Sequence, residues 1–169
     1  MTLPAIDLGL MTEHLGTHEG MINKLKIYYQ TVRNPILKNL LYIHIHVLRN
    51  HVRAMLAFID SNQKGPSHLH SMEDVHQINV YGSFTEEEKD IVLEARATAK
   101  LMASDNFMSA LMMEDTNVKH VHIEMALQEV KLQSMYNEVI KYITGDFTPK
   151  VTEEMQQLTF QKYYHVLKE

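Results

Sequence analysis

Apolar residues recur every three or four positions through most of the chain. In 12–32, Leu15, Ile22, Leu25, Tyr29 and Val32 share one side of a 3.6-residue spiral, which predicts an amphipathic helix. Asn34-Pro35 ends it, because proline disfavours α geometry in the residue before it and suits the first turn of a new helix. The second helix is predicted over 35–60, along a seam of Leu37, Leu41, His44, Leu48, His51, Met55 and Phe58. Residues 61–84, with Gly-Pro, three histidines and Tyr-Gly-Ser, hold no sustained period and read as a connection. Thr85-Glu-Glu-Glu has the form of a capping box and opens a third helix to about residue 114. After a short turn, Val118, Val121, Met125, Leu132, Met135, Val139 and Ile143 define a fourth helix that Gly145 stops. Thr152 can cap a fifth, with Phe160, Tyr163, Tyr164 and Leu167 on one face.

Two long helical hairpins joined by a long link predict an all-α fold, a ferritin-like four-helix bundle with one long crossover and an additional C-terminal helix. A helix of about 28 residues is about 42 Å long. A link of about 22 extended residues reaches about 70 Å, enough to return along the bundle. The division expected is 1–145 as the bundle and 146–169 as a helix packed on the bundle or on a partner.

Composition narrows the chemistry. The 169 residues include no cysteine, so disulfides, thiolate metal sites and cysteine nucleophiles are excluded. A formal charge of -5 disfavours nucleic acid as a partner. The first 62 residues carry six basic and four acidic groups, whereas 85–169 carry nine and fifteen, consistent with complementary halves. No apolar run is long enough to span a bilayer, and the first residues lack the basic and apolar regions of a signal peptide, which predicts an intracellular location. The unusual counts are 11 His and 12 Met.

His14 and His18 stand four residues apart, a spacing that puts both imidazoles on one helix face. For an antiparallel hairpin turning at Asn34, His18 is level with His51; for parallel second and third helices, His51 shares a layer with Leu101, Met102 and Glu129, and His44 with Glu94. His14, His18, His51 and Glu129 are therefore candidate ligands for Zn, Fe, Mn or Cu. The ordinary alternative is packing of half-buried rings with their nitrogens on a carboxylate, and on that reading no cofactor is expected. Burial without a partner would lower the pKa values of His44 and His51. The only Glu-x-x-His, Glu73 to His76, lies in the connection, so the di-iron ligand pattern is missing. His68, His70 and His76 read as solvated, and His120 with Glu124 as a surface pair. Met102, Met108, Met112, Met113, Met125 and Met135 read as core filler over copper ligands. Gly16 and Gly20 mark either a close approach or a loose first turn.

The order of features resembles the spore coat protein F family of endospore-forming bacteria. It rests on His18-Glu19 entering a long helix, a second helix rich in apolar and basic residues, Phe84-Thr85-Glu86-Glu87 opening the third, Lys100 and Glu114 within it, and Asn117-Val118-Lys119 opening the fourth. Members often carry a late His in the last long helix, where this chain has Gln133. The resemblance implies a ferritin-like structural protein of the spore coat or forespore surface, meeting other coat proteins, with no catalytic residue to carry over. The aromatic fifth helix suggests a homodimer. The alternative function is a non-haem metal-binding bundle using His18, His51 and Glu129.

Overall fold

The computed structural model describes residues 2–63, 67–72 and 78–168. It contains five helices, α1 (Ala5–Thr31), α2 (Pro35–Ile59), α3 (Glu86–Met112), α4 (Thr116–Thr144) and α5 (Glu153–Tyr163), with a 3-10 turn at Tyr164–Lys168, and no strand among the described residues. The protein is all-α. No helix among the described residues is long and apolar enough to cross a membrane.

Local chemistry sets most helix ends. Asn34 accepts from the backbone N–H groups of Ile36 and Leu37, ahead of Pro35 in the first turn of α2. Thr85 and Glu88 form the expected capping box, and Asp115 and Thr152 cap α4 and α5. Gly145 follows α4 at φ 83°, a conformation that favours glycine. One expected end is displaced: α1 begins at Ala5, a full two turns before residue 12. Asp7, which reads locally as a break, is completely buried there.

Two carboxylates fix how the hairpins meet. Glu88, at the start of α3, accepts from the N–H groups of Arg33 and Asn34 in the α1–α2 turn, both at 2.7 Å. Asp7, at the start of α1, accepts from Glu114 and Asp115 in the α3–α4 turn, both at 2.9 Å. Helix α3 therefore runs antiparallel to α1 and parallel to α2, and the connection 60–85 must return along the bundle. Its described parts do so in contact with the core: Ser67 donates to the Ala54 carbonyl, and Met72, Ile78, Val80 and Phe84 pack on apolar side chains. Helices α1 and α4 each border both α2 and α3. Buried Ala95, Ala99 and Ala110 on α3 let it lie close against α4, whose Ala126 is also buried.

Two apolar clusters fill the interior. One includes Leu25, Leu41, Leu48, Val92, Met102, Leu132 and Tyr136. The other includes Met11, Met55, Met113, Val118 and Met125, so these methionines are packing residues, while Met108 and Met112 face outward. His14 and His18 on α1, His51 on α2, Asn106 and Ser109 on α3, and Gln128 and Glu129 on α4 fall between the two clusters.

Several expectations require correction. Gly16 and Gly20 sit inside α1, with open space where a Cβ would lie, so neither a close approach nor a loose first turn explains them. Leu101 faces outward, whereas Met102 beside it is buried. The chain from 144 to 168 is exposed throughout, so α5 buries nothing against its own bundle.

Candidate functional site

The polar layer contains His14, His18, His44, His51, His122, Gln128 and Glu129, with Asn106 and Ser109 on α3. His18, His44, His51, His122 and Glu129 have no solvent exposure at all. Each is placed by helical spacing: His44 and His51 are seven apart on α2, and His122 and Glu129 seven apart on α4, two turns along one inward face. His68 and His70 are exposed, and Glu73 and His76 lie outside the described residues. His120 meets Glu124 at 3.3 Å on the surface, as expected.

Three of the four candidate ligands come together. His18 Nε2 stands 3.4 Å from His51 Nδ1, and His51 Nδ1 stands 3.8 Å from Glu129 Oε1. His14 lies at the margin, its ring centroid 6.2 Å from that of His18, its Nε2 paired with the Ser109 hydroxyl at 2.8 Å and its Nδ1 without a partner. His44 meets Glu129 Oε2 at 3.2 Å and the Tyr136 hydroxyl at 3.1 Å. Glu94, expected level with His44, does not face it: Glu94 is exposed, beside Lys24 and Tyr28. The layer count carries an error of about one turn, and residues four apart on α3 face the core or the solvent according to rotation that counting does not supply.

Hydrogen-bond partners assign the protons. His18 Nδ1 is 2.7 Å from the His14 carbonyl, which only accepts, so Nδ1 carries the hydrogen and Nε2 of the neutral ring carries a lone pair. Gln128 donates its amide to the His70 carbonyl at 2.9 Å, which turns its own oxygen toward His51 Nε2, also at 2.9 Å. His51 Nε2 therefore donates, and Nδ1 carries the lone pair. His122 Nδ1 donates to the Val118 carbonyl at 2.9 Å, leaving Nε2 buried and unpartnered. Glu129 Oε1 is likewise buried with no hydrogen-bond partner.

Burial keeps these rings neutral. It lowers His18 to about 4, against the opposing bond to the His14 carbonyl. It lowers His51 to about 3, helped by the neighbouring His18, and lowers His122 to about 4. His14 is lowered by burial as well, against the pull of Asp105. The 3.8 Å approach of His51 to Glu129 is therefore no salt bridge: it sets a lone pair against a carboxylate.

Sequence reasoning missed His122 and Gln128. The seven-residue step from His122 to Glu129 was a usable signal; nothing in the spacing announces Gln128, whose role depends on the connection crossing beside it. As the side chains stand, no three or more His, Cys, Asp or Glu among the described residues are grouped to hold a metal ion. The one hydroxyl of the layer set against an imidazole other than Tyr136, that of Ser109 beside His14 Nε2, is itself buried. The fold and this layer define a helical-bundle protein with a sealed polar interior. Comparison with protein-family models, with curated proteins and with solved structures gives no match.

Proposed function

We propose that the protein is a non-catalytic structural protein of the bacterial spore coat or a coat-associated layer, a ferritin-like four-helix bundle that acts through protein contacts. The observation that carries this reading is the division between inside and outside. Among the described residues the largest group of histidines, with Glu129, is buried in the core, whereas the surface presents apolar side chains. On α3 these include Leu93, Leu101, Met108 and Met112, and on the C-terminal arm Leu158, Phe160, Tyr163 and Leu167. An exposed apolar area of this kind suits assembly more than turnover.

The topology supports the ferritin-like description, since parallel α2 and α3 need one long crossover. The resemblance to spore coat protein F supports the location; of its motifs, Phe84-Thr85-Glu86-Glu87 and Asn117-Val118-Lys119 lie at the starts of α3 and α4, and His18-Glu19 lies inside α1. Partners on this reading are other coat proteins and a second copy of the chain. A fluorescent fusion in a sporulating host tests it: a ring or cap at the forespore surface is expected. Diffuse signal in the mother cell throughout sporulation would remove the coat assignment.

A further inference from the structure

We propose that His18 Nε2, His51 Nδ1 and Glu129 Oε1 form a binding site for one divalent transition-metal ion of the zinc type in the centre of the bundle. All three atoms are acceptors, because the opposite nitrogen of each ring is committed to a carbonyl or amide oxygen. Two imidazole lone pairs face one another at 3.4 Å, and a carboxylate oxygen without a donor stands beside them. Buried acceptors without donors are costly, and three together need a cation among them.

The spacing suits a tetrahedral ion. Ligands about 2.05 Å from a tetrahedral centre lie about 3.3 Å apart, and about 2.9 Å apart at an octahedral right angle. The two nitrogens already have the tetrahedral separation. Glu129 Oε1 must close by about half an ångström to match it, which is why the side chains as they stand do not yet enclose an ion. His122 Nε2 is a further buried imidazole nitrogen without a hydrogen-bond partner, on a ring close enough to His18 and His51 to act on both electrostatically.

The surroundings have the form expected around a metal. Ligating imidazoles in metal sites donate their second nitrogen to a carbonyl or carboxylate that fixes the ring, and here His18 is held by the His14 carbonyl and His51 by Gln128. Glu129 is oriented through Oε2 by His44, itself held by Tyr136. Gln128, which meets His51 Nε2, also lines a surface recess with His46, Asn50 and His70. The site has no open coordination route for a substrate, so the ion would tie α1, α2 and α4 together, a structural use compatible with a coat protein.

Full-length protein without a histidine tag, stripped with chelator, is titrated with Zn2+ by calorimetry and with Co2+ by visible absorption. One equivalent of Zn2+ per chain, a melting temperature raised on loading, and the intense visible bands of tetrahedral Co2+ are expected. Glu129→Gln and His51→Gln should fold by circular dichroism and lose affinity at least tenfold, and Gln128→Ala should weaken it about tenfold through the ring it holds. His68→Ala and His120→Ala should bind as the parent does. Less than a tenth of an equivalent with no thermal shift overturns the proposal. So does full binding retained in both Glu129→Gln and His51→Gln, which would assign the metal to surface histidines.

Discussion

Asp7 and Glu88, at opposite ends of the bundle, are buried carboxylates surrounded by donors; Glu129, in the middle, is a buried carboxylate with one. Asp7 takes two backbone N–H groups and Glu88 takes three, from Arg33, Asn34 and Thr85. Glu129 takes a hydrogen from His44 on Oε2 and nothing on Oε1. The end carboxylates replace their lost hydration with main-chain donors at helix starts, where unpaired N–H groups are available. The central one lies where the helices have already used their N–H groups internally, so only side chains can serve it, and those nearest present lone pairs. The same residue type thus staples the fold at its ends and leaves an unmet demand at its centre.

The largest effect should come from removing an end staple. Glu88→Ala removes the acceptor of three N–H groups, those of Arg33, Asn34 and Thr85, and a loss of about 2–4 kcal/mol is expected in urea unfolding. Asp7→Ala, with two, should cost about 2–3 kcal/mol. A loss below about 0.5 kcal/mol for either would show that water replaces the carboxylate easily, and the contrast with Glu129 would fail.

Glu129→Gln should move stability the other way in metal-free protein. The amide oxygen can keep the His44 hydrogen while the amide nitrogen donates to His51 Nδ1, which supplies the missing donor and removes a buried charge. A gain of about 1–2 kcal/mol is expected. A loss of similar size would mean that His51 already carries a second proton toward the carboxylate.

A third comparison uses pH. Burial acts to raise the Glu88 carboxyl, but the N–H groups of Asn34, Thr85 and Arg33 outweigh it and hold the group below its ordinary 4.5. Its folded value being lower than its unfolded one, Glu88 contributes stability that is complete above pH 4.5 and is lost as pH falls through the folded value. Glu88→Gln should therefore narrow its stability gap to the parent between pH 5.5 and 3, by about 1 kcal/mol. A gap of constant size across that range would show that the carboxyl titrates alike in both states.

How far the sequence reached follows from which interactions are local. The capping box at Thr85, the break at Asn34-Pro35 and the cap at Thr152 are read correctly because each serves its own helix start within three residues. The role of Asp7 is not legible, because its donors lie more than a hundred residues away. The meeting of His18, His51 and Glu129 follows from counting along antiparallel and parallel helices. The partner of His44 does not, since choosing between Glu94 and Glu129 needs the rotation of α3 about its axis. Periodicity identifies the apolar face of the fifth helix, yet it cannot say which molecule that face meets.

The smallest effect on the bundle itself should come from deleting residues 150–169. Helix α5 is capped by Thr152 and has acids in its first turn, but eleven residues alone are marginal in water. Its side chains bury nothing in the bundle, with Phe160, Tyr163 and Leu167 at 56%, 57% and 77% exposure. The bundle should therefore melt within about 1 kcal/mol of the full chain at concentrations where both are monomeric. Light scattering should separate the two at higher concentration, the full chain gaining mass as the aromatic face finds a second copy and the truncated chain staying monomeric. A truncated chain that matched the full one in mass at every concentration would make the arm dispensable for self-association, and the exposed row on α3 would then be the surface to alter.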